Sequence, residues 1–507
     1  MRLAGESACP TTGKSFACIG GTGFSLSTPA CRRIFSHLLT LGALLGVRTV
    51  FRPRFRALCE NTGCMNESAL DTSPVATAQI LAGKIRGRRA RVGVVGLGYV
   101  GLPLAVEFAR AGFTVTGIDT NEEKVRRVGA GDSYIGDISS ATLAPLVESG
   151  GLRATTDFSA VLELDTINIC VPTPLRKTKD PDMSFIVSSC AEIGRYFHAG
   201  MLVILESTTY PGTTDELVLP ILAKSGLQVG HDFYLCFSPE RVDPGNPSYQ
   251  TVNIPKVVGG CTPACTEMGR LFYAQALEQV VPVSSTQVAE MVKLLENTFR
   301  MINIGLANEM ALMCDRMRID VWEVIDAAAT KPFGFMPFYP GPGLGGHCIP
   351  IDPFYLSWKT KQAGIEARFI ELAGYINGQM PQFVADKVQN ALNDAAKPVK
   401  GSKIHVMGVA YKRDIDDLRE SPALDVMMLL ARRGAILTYS DPHVARLRLE
   451  GAQLASMPES AAADADCVVI VTDHAAFDYP GLVERSRLIV DTRNALKGVN
   501  STKIVRL

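Results

Sequence analysis

The chain has 507 residues, of which 47% are hydrophobic and 20% are charged, enough apolar material for two or three globular domains. Its 51 Lys and Arg residues balance 51 Asp and Glu residues, which excludes the strong positive field of a protein that binds nucleic acid or an anionic membrane surface. The 13 cysteines include no C-x-x-C pair, so we expect reduced thiols in a cytoplasmic protein rather than a disulfide framework.

Residues 1–85 are predicted to be an N-terminal extension, either disordered or the product of an over-long start with Met65 as the true first residue. The first 64 residues hold eight Lys and Arg against two Asp and Glu. Arg32 and Arg33 precede an apolar run over residues 34–47, in the order found in a signal peptide, but the run is too short to span a bilayer. Because a nucleotide-binding pattern follows, we expect a cytoplasmic location and no membrane partner.

Residues 86–285 alternate apolar strands with helical stretches, which is the pattern of a parallel sheet covered by helices on both faces. The predicted strands are residues 92–95, 114–118, 166–171, 202–205, 234–237 and 256–258. The alternation predicts one doubly wound, Rossmann-like domain.

Residues 286–396 are predicted to form a helical middle domain. Apolar residues recur at helical spacing over residues 286–317 without a proline, which predicts one long helix whose stripe is buried within the chain or against a partner subunit. The stripe consists of Val288, Val292, Leu295, Phe299, Ile302, Leu306 and Met310. A loop rich in Gly and Pro over residues 337–353, and further helix to about residue 396, complete the segment.

Residues 397–507 repeat the alternation of strand and helix, so they predict a second Rossmann-like domain. The predicted strands are residues 404–409, 435–439, 467–471 and 488–490. Ser421 is the expected N-cap of a helix over residues 423–433, which Gly434 ends. The predicted fold class is α/β, with two doubly wound domains joined by a long central helix and a helical middle domain.

The segment VGVVGLGYVG, residues 92–101, places Gly96, Gly98 and Gly101 as G-x-G-x-x-G between a predicted strand and a predicted helix. The three glycines permit a tight turn, close approach of a pyrophosphate, and close packing of helix on strand. Asp119 ends the next strand, where a carboxylate can bind the ribose hydroxyls of NAD and repel the 2′-phosphate of NADP. The predicted cofactor is NAD, with Tyr99 and Val100 as further contacts inside the motif.

Two further predicted strands end in polar residues, at the carboxyl edge where ligands bind in open sheets. Thr173 follows the third strand in Pro-Thr-Pro, and Thr208 follows the fourth in Glu-Ser-Thr. Each threonine is either an ordinary strand-end cap or a contact to the cofactor.

The loop GPGLGGHCIPIDP, residues 341–353, carries Cys348 after a run of glycines and prolines. Backbone N–H groups of such a loop are expected to lower the pKa of the thiol and to stabilise a developing oxyanion. Lys293 and Asn297 lie four residues apart on one face of the long helix, where they either add an ammonium and an amide to the oxyanion site or form a solvated helix face.

A nucleophilic thiol beside NAD indicates a four-electron oxidation of an alcohol to a carboxylate. Hydride leaves the alcohol, the thiolate adds to the aldehyde, the thiohemiacetal gives up a second hydride, and water releases the acid. The covalent step is needed because a free aldehyde has no O–H on the carbon to be oxidised. This chemistry consumes two NAD and needs no metal ion.

From about Arg91 to its end, the chain closely resembles the UDP-glucose/GDP-mannose dehydrogenase family, particularly the members that act on UDP-N-acetylhexosamines. The shared motifs are VGLGYVGLPLA, EST at 206–208, SPERVDPGN at 238–246, AEMVKLLEN at 289–297, GPGLGGHCIPIDP at 341–353 and YKRDIDDLRESP at 411–422. Several independent motifs in the same order make the resemblance specific.

The resemblance implies a role for each matching residue. Cys348 would be the nucleophile, and Lys293 and Asn297 would stabilise the oxyanion. Water would be handled by three residues: Asp352, which positions or activates it, Glu240, which assists thioester hydrolysis, and Thr208, which holds it near the reacting carbon. The implied substrate contacts are Glu240, Arg241, Lys293, Asn297, Gly345, His347, Lys412 and Arg493, and Arg419 is an implied cofactor contact.

The choice of sugar is predicted from two positions. Relatives acting on UDP-glucose typically carry an aromatic residue after the Pro-Glu pair and no histidine before the cysteine, whereas this chain has Arg241 and His347. This favours C6 oxidation of UDP-N-acetylglucosamine to the uronic acid for surface polysaccharide, with UDP-N-acetylmannosamine and UDP-glucose as alternatives. The resemblance also implies a homodimer or a higher homo-oligomer.

Two other functions remain open at this point. A two-electron β-hydroxyacid dehydrogenase also combines a nicotinamide domain with a Lys and an Asn four apart on a long helix, although it needs neither the thiol loop nor the second sheet. A catalytically silent NAD-binding scaffold would need none of the proposed catalytic residues. The number of NADH formed per substrate distinguishes the three functions: two, one or none.

Overall fold

The first sheet of the protein follows the order of a doubly wound domain. The computed structural model describes residues 74–176, 180–243, 246 and 248–507, so the predicted extension up to residue 73 lies outside the described residues. The eight strands of this sheet are β1 Arg91–Val95, β2 Thr114–Ile118, β3 Leu152–Thr155, β4 Thr166–Ile169, β5 Leu202–Leu205, β6 Tyr234–Phe237, β7 Lys256–Gly260 and β8 Val280–Val283. Their order is β3-β2-β1-β4-β5-β6-β7-β8, and β1 to β6 are parallel, as predicted.

Strand β7 departs from the parallel arrangement that the sequence predicts. It runs antiparallel to β6, with Phe237 opposite Gly259, and β8 is parallel to β7. A parallel pairing needs a crossover connection, usually a helix, and the described part of the connection over residues 238–255 forms none. The reversal places Lys256, the first residue of β7, at the carboxyl edge of β1 to β6.

Seven helices accompany this sheet, and the first of them corrects the predicted start of the domain. They are α1 Pro74–Arg86, α2 Gly101–Arg110, α3 Glu122–Gly129, α4 Ser140–Glu148, α5 Ser184–Arg195, α6 Leu219–Leu222 and α7 Pro263–Tyr273. Leu81 and Ile85 of α1 are buried in the core of the sheet domain. The prediction of an unstructured extension to residue 85 is therefore wrong for residues 74–85, because this helix contributes apolar surface to the core.

The middle segment consists of four helices. They are α8 Thr286–Met317, α9 Val321–Ala329, α10 Asp352–Gln362 and α11 Arg368–Asp394. The bounds of α8 match the predicted long helix, which the Ser285 hydroxyl caps by accepting a hydrogen bond from the Val288 N–H. None of the described helices combines the length and the apolar character that crossing a bilayer requires.

The predicted apolar stripe of α8 is divided between the surface and the interior, since Val292, Ile302 and Met310 pack partly against the cores of the chain. Leu295, Phe299 and Leu306 are all exposed, with Leu295 at 64%. The inner face instead packs against α10 and α11, and at Gly305 an added Cβ would lie 3.2 Å from the Ala373 Cβ of α11. Of the two predicted positions for the stripe, burial within the chain is excluded for the three exposed residues.

The second sheet has five parallel strands at the C-terminal end of the chain. They are β9 Lys403–Met407, β10 Ile436–Ser440, β13 Cys467–Ile470, β14 Ile489–Asp491 and β15 Ile504–Arg506, and β11 Arg446–Leu449 and β12 Ala452–Ala455 form a separate hairpin. The order β10-β9-β13-β14-β15 is the other common doubly wound order, with its switch point between β9 and β13. Helices α12 Pro422–Arg432 and α13 Tyr479–Arg485 accompany it, and Ser421 caps α12 as predicted.

The close packing of β1 against α2 gives a testable difference between two glycines. A Cβ on Gly101 would lie 1.8 Å from the Gly96 carbonyl oxygen, whereas a Cβ on Gly98 would meet no protein atom within 4 Å. We expect Gly101→Ala to lower the free energy of unfolding by about 1–3 kcal/mol and Gly98→Ala to change it by less than about 0.5 kcal/mol. Urea unfolding of the ligand-free protein, followed by circular dichroism, measures both, and equal midpoints would contradict the packing argument.

Candidate active site

The G-x-G-x-x-G turn lies at the switch point of the first sheet, between β1 and β4. Gly96 has a φ of 94°, and a Cβ there would lie 2.6 Å from the Cys170 carbonyl oxygen, so only glycine fits. Asp119, at the end of β2, accepts hydrogen bonds from the Leu97 N–H at 2.8 Å and from Lys124 Nζ at 3.3 Å. The carboxylate therefore braces the turn while it stands beside the space above Gly98.

Four buried polar residues on the inner face of α8 hold three segments of the chain: residues 212–214, the loop that carries Glu240, and the two ends of the thiol loop. Glu290 accepts hydrogen bonds from the backbone N–H groups of residues 212 and 214, and Lys293 Nζ donates to the Glu240 carbonyl oxygen. Asn297 Nδ2 donates to Asp352 Oδ2 at 2.6 Å, and Asn308 Oδ1 accepts from the N–H of residue 341 at 2.9 Å. Lys293 and Asn297 thus form no solvated helix face, since their exposures are 8% and 5%.

Cys348 is the one exposed cysteine among the eight that the structure describes. The residue is accessible to solvent, while the surrounding protein desolvates its thiol. This burial and the charge of Asp352 raise the pKa of the Cys348 thiol above its ordinary value. Lys293 and Arg419, followed by Arg300, act in the opposite direction. A thiol of a solvent-accessible residue that feels the charge of three cations is suited to react with an electrophile.

The raised pKa corrects the expectation that the glycine-rich loop lowers it. Two of the loop's N–H groups are engaged elsewhere: that of Gly346 donates to the Arg419 carbonyl oxygen at 3.0 Å, and that of Gly341 donates to Asn308. The desolvation of the thiol therefore outweighs the favourable charges. Activation of Cys348 has to come from the neighbouring cations and from proton removal.

Asp352 begins α10 and is almost fully buried, at 2% exposure. Burial raises its pKa to about 7, although Lys293 and the hydrogen bond from Asn297 lower it. Its backbone N–H donates to the Cys348 carbonyl oxygen at 2.8 Å, which fixes the carboxyl group beside the thiol loop. A carboxyl group that titrates near neutral pH can both accept and return a proton.

Glu240 has the opposite electrostatic environment. Its Oε1 accepts hydrogen bonds from the N–H groups of Arg241 and Val242, and its Oε2 pairs with Lys256 Nζ at 3.2 Å. Burial alone would raise the pKa of Glu240, but Lys256 and the Val242 N–H outweigh it, so the pKa falls below its ordinary value. Lys256 also pairs with the buried Glu206 at 2.5 Å.

The second sheet supplies the wall behind the thiol loop. A Cβ on Gly345 would lie 2.5 Å from the Tyr411 Cβ, which explains why the loop requires glycine at this position. The Arg419 guanidinium is held by Asp417 and lies 4.9 Å from the centre of the Tyr99 ring. Arg419 therefore connects the fingerprint turn of the first sheet with the loop of Cys348.

His347, beside the nucleophile candidate, is partly buried. Burial and the Arg419 guanidinium lower its pKa. Its imidazole is consequently neutral at pH 7, so it is able to donate and to accept a hydrogen bond at the same time.

Lys412 and Arg493 follow β9 and β14, at the carboxyl edge of the second sheet. Lys412 Nζ pairs with Asp243 Oδ1 at 2.8 Å, in the loop that also carries Glu240. Arg493 Nε donates to the Val471 carbonyl oxygen at 2.9 Å, and its guanidinium packs against Gly341 at the start of the thiol loop.

Arg493 also lines a cavity of about 290 Å³. The other lining residues are Trp322, Asp326, Tyr339, Pro340, Asn494 and Lys497. A larger cavity of about 480 Å³ lies beside the β11–β12 hairpin. None of the predicted site residues lines the larger cavity, so we give it no role.

The remaining predicted residues lie at the edge of the site. Thr173 is buried, and its carbonyl oxygen accepts a hydrogen bond from the Tyr355 hydroxyl of α10. Thr208 is half-buried beyond the end of β5. Arg241 pairs with Glu296 of α8 at 2.7 Å and donates to the Pro255 carbonyl oxygen.

Sequence reasoning gave no role to four residues that the structure brings into or beside the site. Lys256, Glu206 and Tyr273 form a buried cluster behind Glu240, and Arg300 contributes positive charge near Cys348. The available signal was a charged residue at the end or start of a fully apolar strand, as at Glu206 and Lys256. Such a residue needs a buried partner.

A dinucleotide fingerprint at the switch point of one sheet, facing a loop held against a second doubly wound sheet, is the arrangement of a dehydrogenase with separate domains for cofactor and substrate. Comparison with known proteins makes the class specific: the chain belongs to the UDP-glucose/GDP-mannose dehydrogenase family. The family's NAD binding domain matches residues 90–277, its central domain residues 287–379 and its UDP binding domain residues 405–498. The protein is therefore an NAD-dependent nucleotide-sugar dehydrogenase.

Three relatives illustrate the extent of the similarity. The UDP-N-acetyl-D-mannosamine dehydrogenase of Salmonella typhi is 36% identical over 421 residues, covering 79% of this chain and 98% of the relative. The UDP-N-acetyl-D-glucosamine 6-dehydrogenase of Pseudomonas aeruginosa is 37% identical over 356 residues, covering 70% and 83%. A solved UDP-D-ManNAc dehydrogenase from Pyrococcus horikoshii superposes with a TM-score of 0.75 at 33% identity, covering 82% and 98%.

The raised pKa of Asp352 predicts a pH-dependent stability difference. The folded-state pKa near 7 lies above the ordinary value of 3.8, so the folded protein favours the protonated acid and loses stability as the pH rises from about 4 to 7. We expect Asp352→Asn to be more stable than the wild type at pH 8, by up to about 4 kcal/mol, and equally stable below pH 4. Urea unfolding at a series of pH values measures this, and a difference that is constant with pH would contradict it.

Proposed function

We propose that this chain oxidises the C6 hydroxyl of a UDP-N-acetylhexosamine to a carboxylate in two steps, through a covalent bond to Cys348. The observation that carries the proposal is the position of Cys348, which alone is exposed among the described cysteines and lies within the electrostatic reach of Lys293 and Asp352. A protein that oxidised an alcohol only to a carbonyl compound would have no need of this thiol.

NAD fits the fingerprint turn, because the backbone at Gly98 is open to an approaching pyrophosphate and the N-terminus of α2 favours its negative charge. Bound NAD accepts a hydride from C6 in each of the two oxidations. The residues proposed to hold it are Gly96, Gly98, Tyr99, Val100, Gly101, Asp119, Thr173, Thr208 and Arg419.

Cys348 is the proposed nucleophile at the aldehyde stage. Its sulfur bonds to the aldehyde carbon, and the aldehyde oxygen takes the negative charge. Lys293 has two N–H groups beyond the one that binds the Glu240 carbonyl oxygen, and Asn297 has one beyond that bound to Asp352. These remaining donors are proposed to stabilise the oxyanion.

Release of the acid requires a water molecule and a base. Glu240 is proposed to accept the proton of this water, because its lowered pKa keeps it ionised at neutral pH. Asp352, which titrates near 7, is proposed to position water and to exchange protons with the Cys348 thiol. Thr208 is proposed as a further hydrogen-bonding partner of the water.

Binding of the sugar nucleotide is proposed at the carboxyl edge of the second sheet. Lys412 and Arg493 carry positive charge at this edge of the sheet, suited to the diphosphate. The proposed sugar contacts are Glu240, Arg241, Lys293, Asn297, Gly345 and His347. Both hydrogen-bonding functions of the neutral His347 are available to an acetamido group.

UDP-N-acetylglucosamine is the first proposed substrate, as the residues at positions 241 and 347 indicate. UDP-N-acetylmannosamine is the second candidate, because the relative of 36% identity over 79% of this chain carries that name. The epimers differ only at C2, far from the reacting C6. A role in surface polysaccharide synthesis and a cytoplasmic location stay predictions.

A homodimer is proposed from the exposed part of the apolar stripe of α8. Leu295, Phe299 and Leu306 are exposed on α8, and on α11, which packs against α8, Phe369 is 75% exposed and Tyr375 66% exposed. Exposed apolar side chains on two neighbouring long helices are typical of a subunit interface. Because the inner face of α8 holds the loops of the site, the same helix would join the interface to the catalytic residues.

The proposed reaction predicts a product ratio. With UDP-N-acetylglucosamine or UDP-N-acetylmannosamine, purified protein should form two NADH per sugar consumed, measured at 340 nm with the product identified by mass spectrometry. Cys348→Ser should keep NAD and UDP-sugar binding while four-electron turnover falls by about 10³-fold or more. UDP-glucose oxidised far faster than both hexosamines would overturn the substrate proposal; one NADH per sugar would indicate a two-electron enzyme, and none a binding protein.

The dimer proposal predicts the effect of a charge in the stripe. Leu295→Asp should convert the dimer to monomer in sedimentation velocity at micromolar concentration, because an uncompensated carboxylate in an apolar interface costs several kcal/mol. Leu162→Asp is the matched control, since Leu162 is 60% exposed on another surface, against 64% for Leu295. A wild-type protein that sediments as a monomer would refute the proposal.

A further inference from the structure

A lysine is buried between two carboxylates behind the site. Lys256 is 4% exposed, and its Nζ lies 2.5 Å from Glu206 Oε2 and 3.2 Å from Glu240 Oε2. It reaches this place because β7 is reversed, which brings the first residue of the strand to the carboxyl edge. No role has so far been assigned to this cluster.

The two acids differ in what else binds them. Glu206 is 1% exposed, and its Oε1 accepts hydrogen bonds from the Tyr273 hydroxyl and from Asn168 Nδ2. It is a fixed, fully enclosed anion with every oxygen engaged. Glu240, by contrast, faces the site and is proposed to act on water there. Glu206 therefore anchors the cluster, and Glu240 is the member that is proposed to take part in the reaction.

We propose that Lys256 is the positioning residue for Glu240: its ammonium, anchored by Glu206, holds the Glu240 carboxylate ionised and in one orientation for hydrolysis of the thioester on Cys348. This inference rests on the proposed function. Lys256 acts through Glu240 and touches neither the sugar nor the thiol in this account. A lysine that only stabilised the fold would need one buried partner, whereas Lys256 has two and its second partner is the proposed base.

The groups that face Glu240 come from several elements. Lys256 from β7 and Lys293 from α8 lower its pKa, and the N–H groups at 241 and 242 bind its Oε1. Cys170 follows β4, and burial together with the charges of Glu206 and Glu240 raises the pKa of its thiol. Since Glu206 is an anion next to Lys256, it offsets part of the effect of Lys256 on Glu240.

The step that depends on this arrangement is a hydrolysis and needs no oxidant. The oxygen of water bonds to the acyl carbon, and one proton of that water passes to Glu240. The carbon–sulfur bond then breaks, the electron pair stays on the sulfur of Cys348, and the acid product loses the second proton of the water to solvent as it leaves as a carboxylate. Glu240 returns its proton to solvent, so the enzyme is restored and one water is consumed.

The test measures the rate at which the acyl adduct on Cys348 decays between pH 5.5 and 9. The adduct is followed by intact-protein mass spectrometry after a single turnover. The substrate is UDP-N-acetylglucosamine or UDP-N-acetylmannosamine, whichever the wild type oxidises. The decay rate is expected to fall toward low pH as Glu240 is protonated, and this fall is called the acid limb. In Lys256→Met the lost cation raises the pKa of Glu240, so the acid limb should move to higher pH. The decay rate should therefore be lower than in the wild type by about tenfold or more at pH 6 and by a smaller factor at pH 9. The burst of two NADH per site should remain, because both oxidations precede hydrolysis.

The second variant predicts a shift of opposite sign. In Glu206→Gln the lost anion strengthens the effect of Lys256, so the acid limb should move to lower pH. Lys256→Arg keeps the cation and should restore the wild-type limb. If Lys256→Met does not fold because Glu206 is left unpaired, the double variant Lys256→Met, Glu206→Gln removes both buried charges and should still move the limb to higher pH.

A control lysine lies on α11 and pairs with a residue near the far end of α8. Lys387, with a side chain 13% exposed, pairs with Asp315 at 2.7 Å, and Asp315 is about 33 Å along the helix from Lys293 at the rise of an α-helix. Lys387→Met should leave the limb in place, and Glu240→Gln should abolish it, which separates it from any limb of Asp352. A limb that stays fixed in Lys256→Met, or that moves in the same direction in Lys256→Met and in Glu206→Gln, would overturn the inference. A wild type that forms no adduct would instead overturn the proposed function.

Discussion

One face of a single helix, the inner face of α8, holds the loops of the site in place. Glu290, Lys293, Asn297 and Asn308 follow one another at intervals that keep them on this face. Together they bind three segments of the chain: residues 212–214, the loop that carries Glu240, and the two ends of the thiol loop. Because all four are buried, each must be hydrogen-bonded, and leaving one unpaired costs about 1–3 kcal/mol. The geometry of the site thus follows from the need to satisfy polar groups that the helix carries inward.

The two carboxyl groups nearest the thiol loop are given different chemistry by their surroundings. Asp352 is buried with one amide partner, and its pKa rises to about 7, whereas Glu240 is buried beside Lys256 and two N–H groups, and its pKa falls. Pairs of acids whose environments move their pKa values apart are suited to separate roles in one reaction. Here the largest favourable charge on Glu240 is that of Lys256, contributed by a strand that runs antiparallel to β1 to β6.

Local pattern allowed much of the fold to be predicted. The fingerprint turn, the bounds of α8 and the cap at Ser421 depend on residues close in sequence, and all three match the structure. Strands β3, β8 and β15 were missed because they are short and only partly buried, and α1 was missed because no motif lies near it. Lys256 could not be found from its neighbours, since its role depends on the reversal of β7. The stripe of α8 was recognised, but periodicity alone does not tell which partner covers a face. The roles of the site residues stay predictions, as do the predicted domain boundaries other than the one at residue 85, which α1 corrects.

Because the four polar residues of α8 that hold the site all lie on its inner face, the geometry of the site also depends on the rotation of the helix about its own axis. One residue inserted between Asn297 and Asn308 would turn everything downstream by about 100° and advance it by about 1.5 Å. Lys293 and Asn297 would keep their loops, while Asn308 would swing away from Gly341 and the outward apolar residues beyond it would rotate into the chain. The length of this helix is therefore constrained residue by residue, much more tightly than the lengths of the loops that it holds.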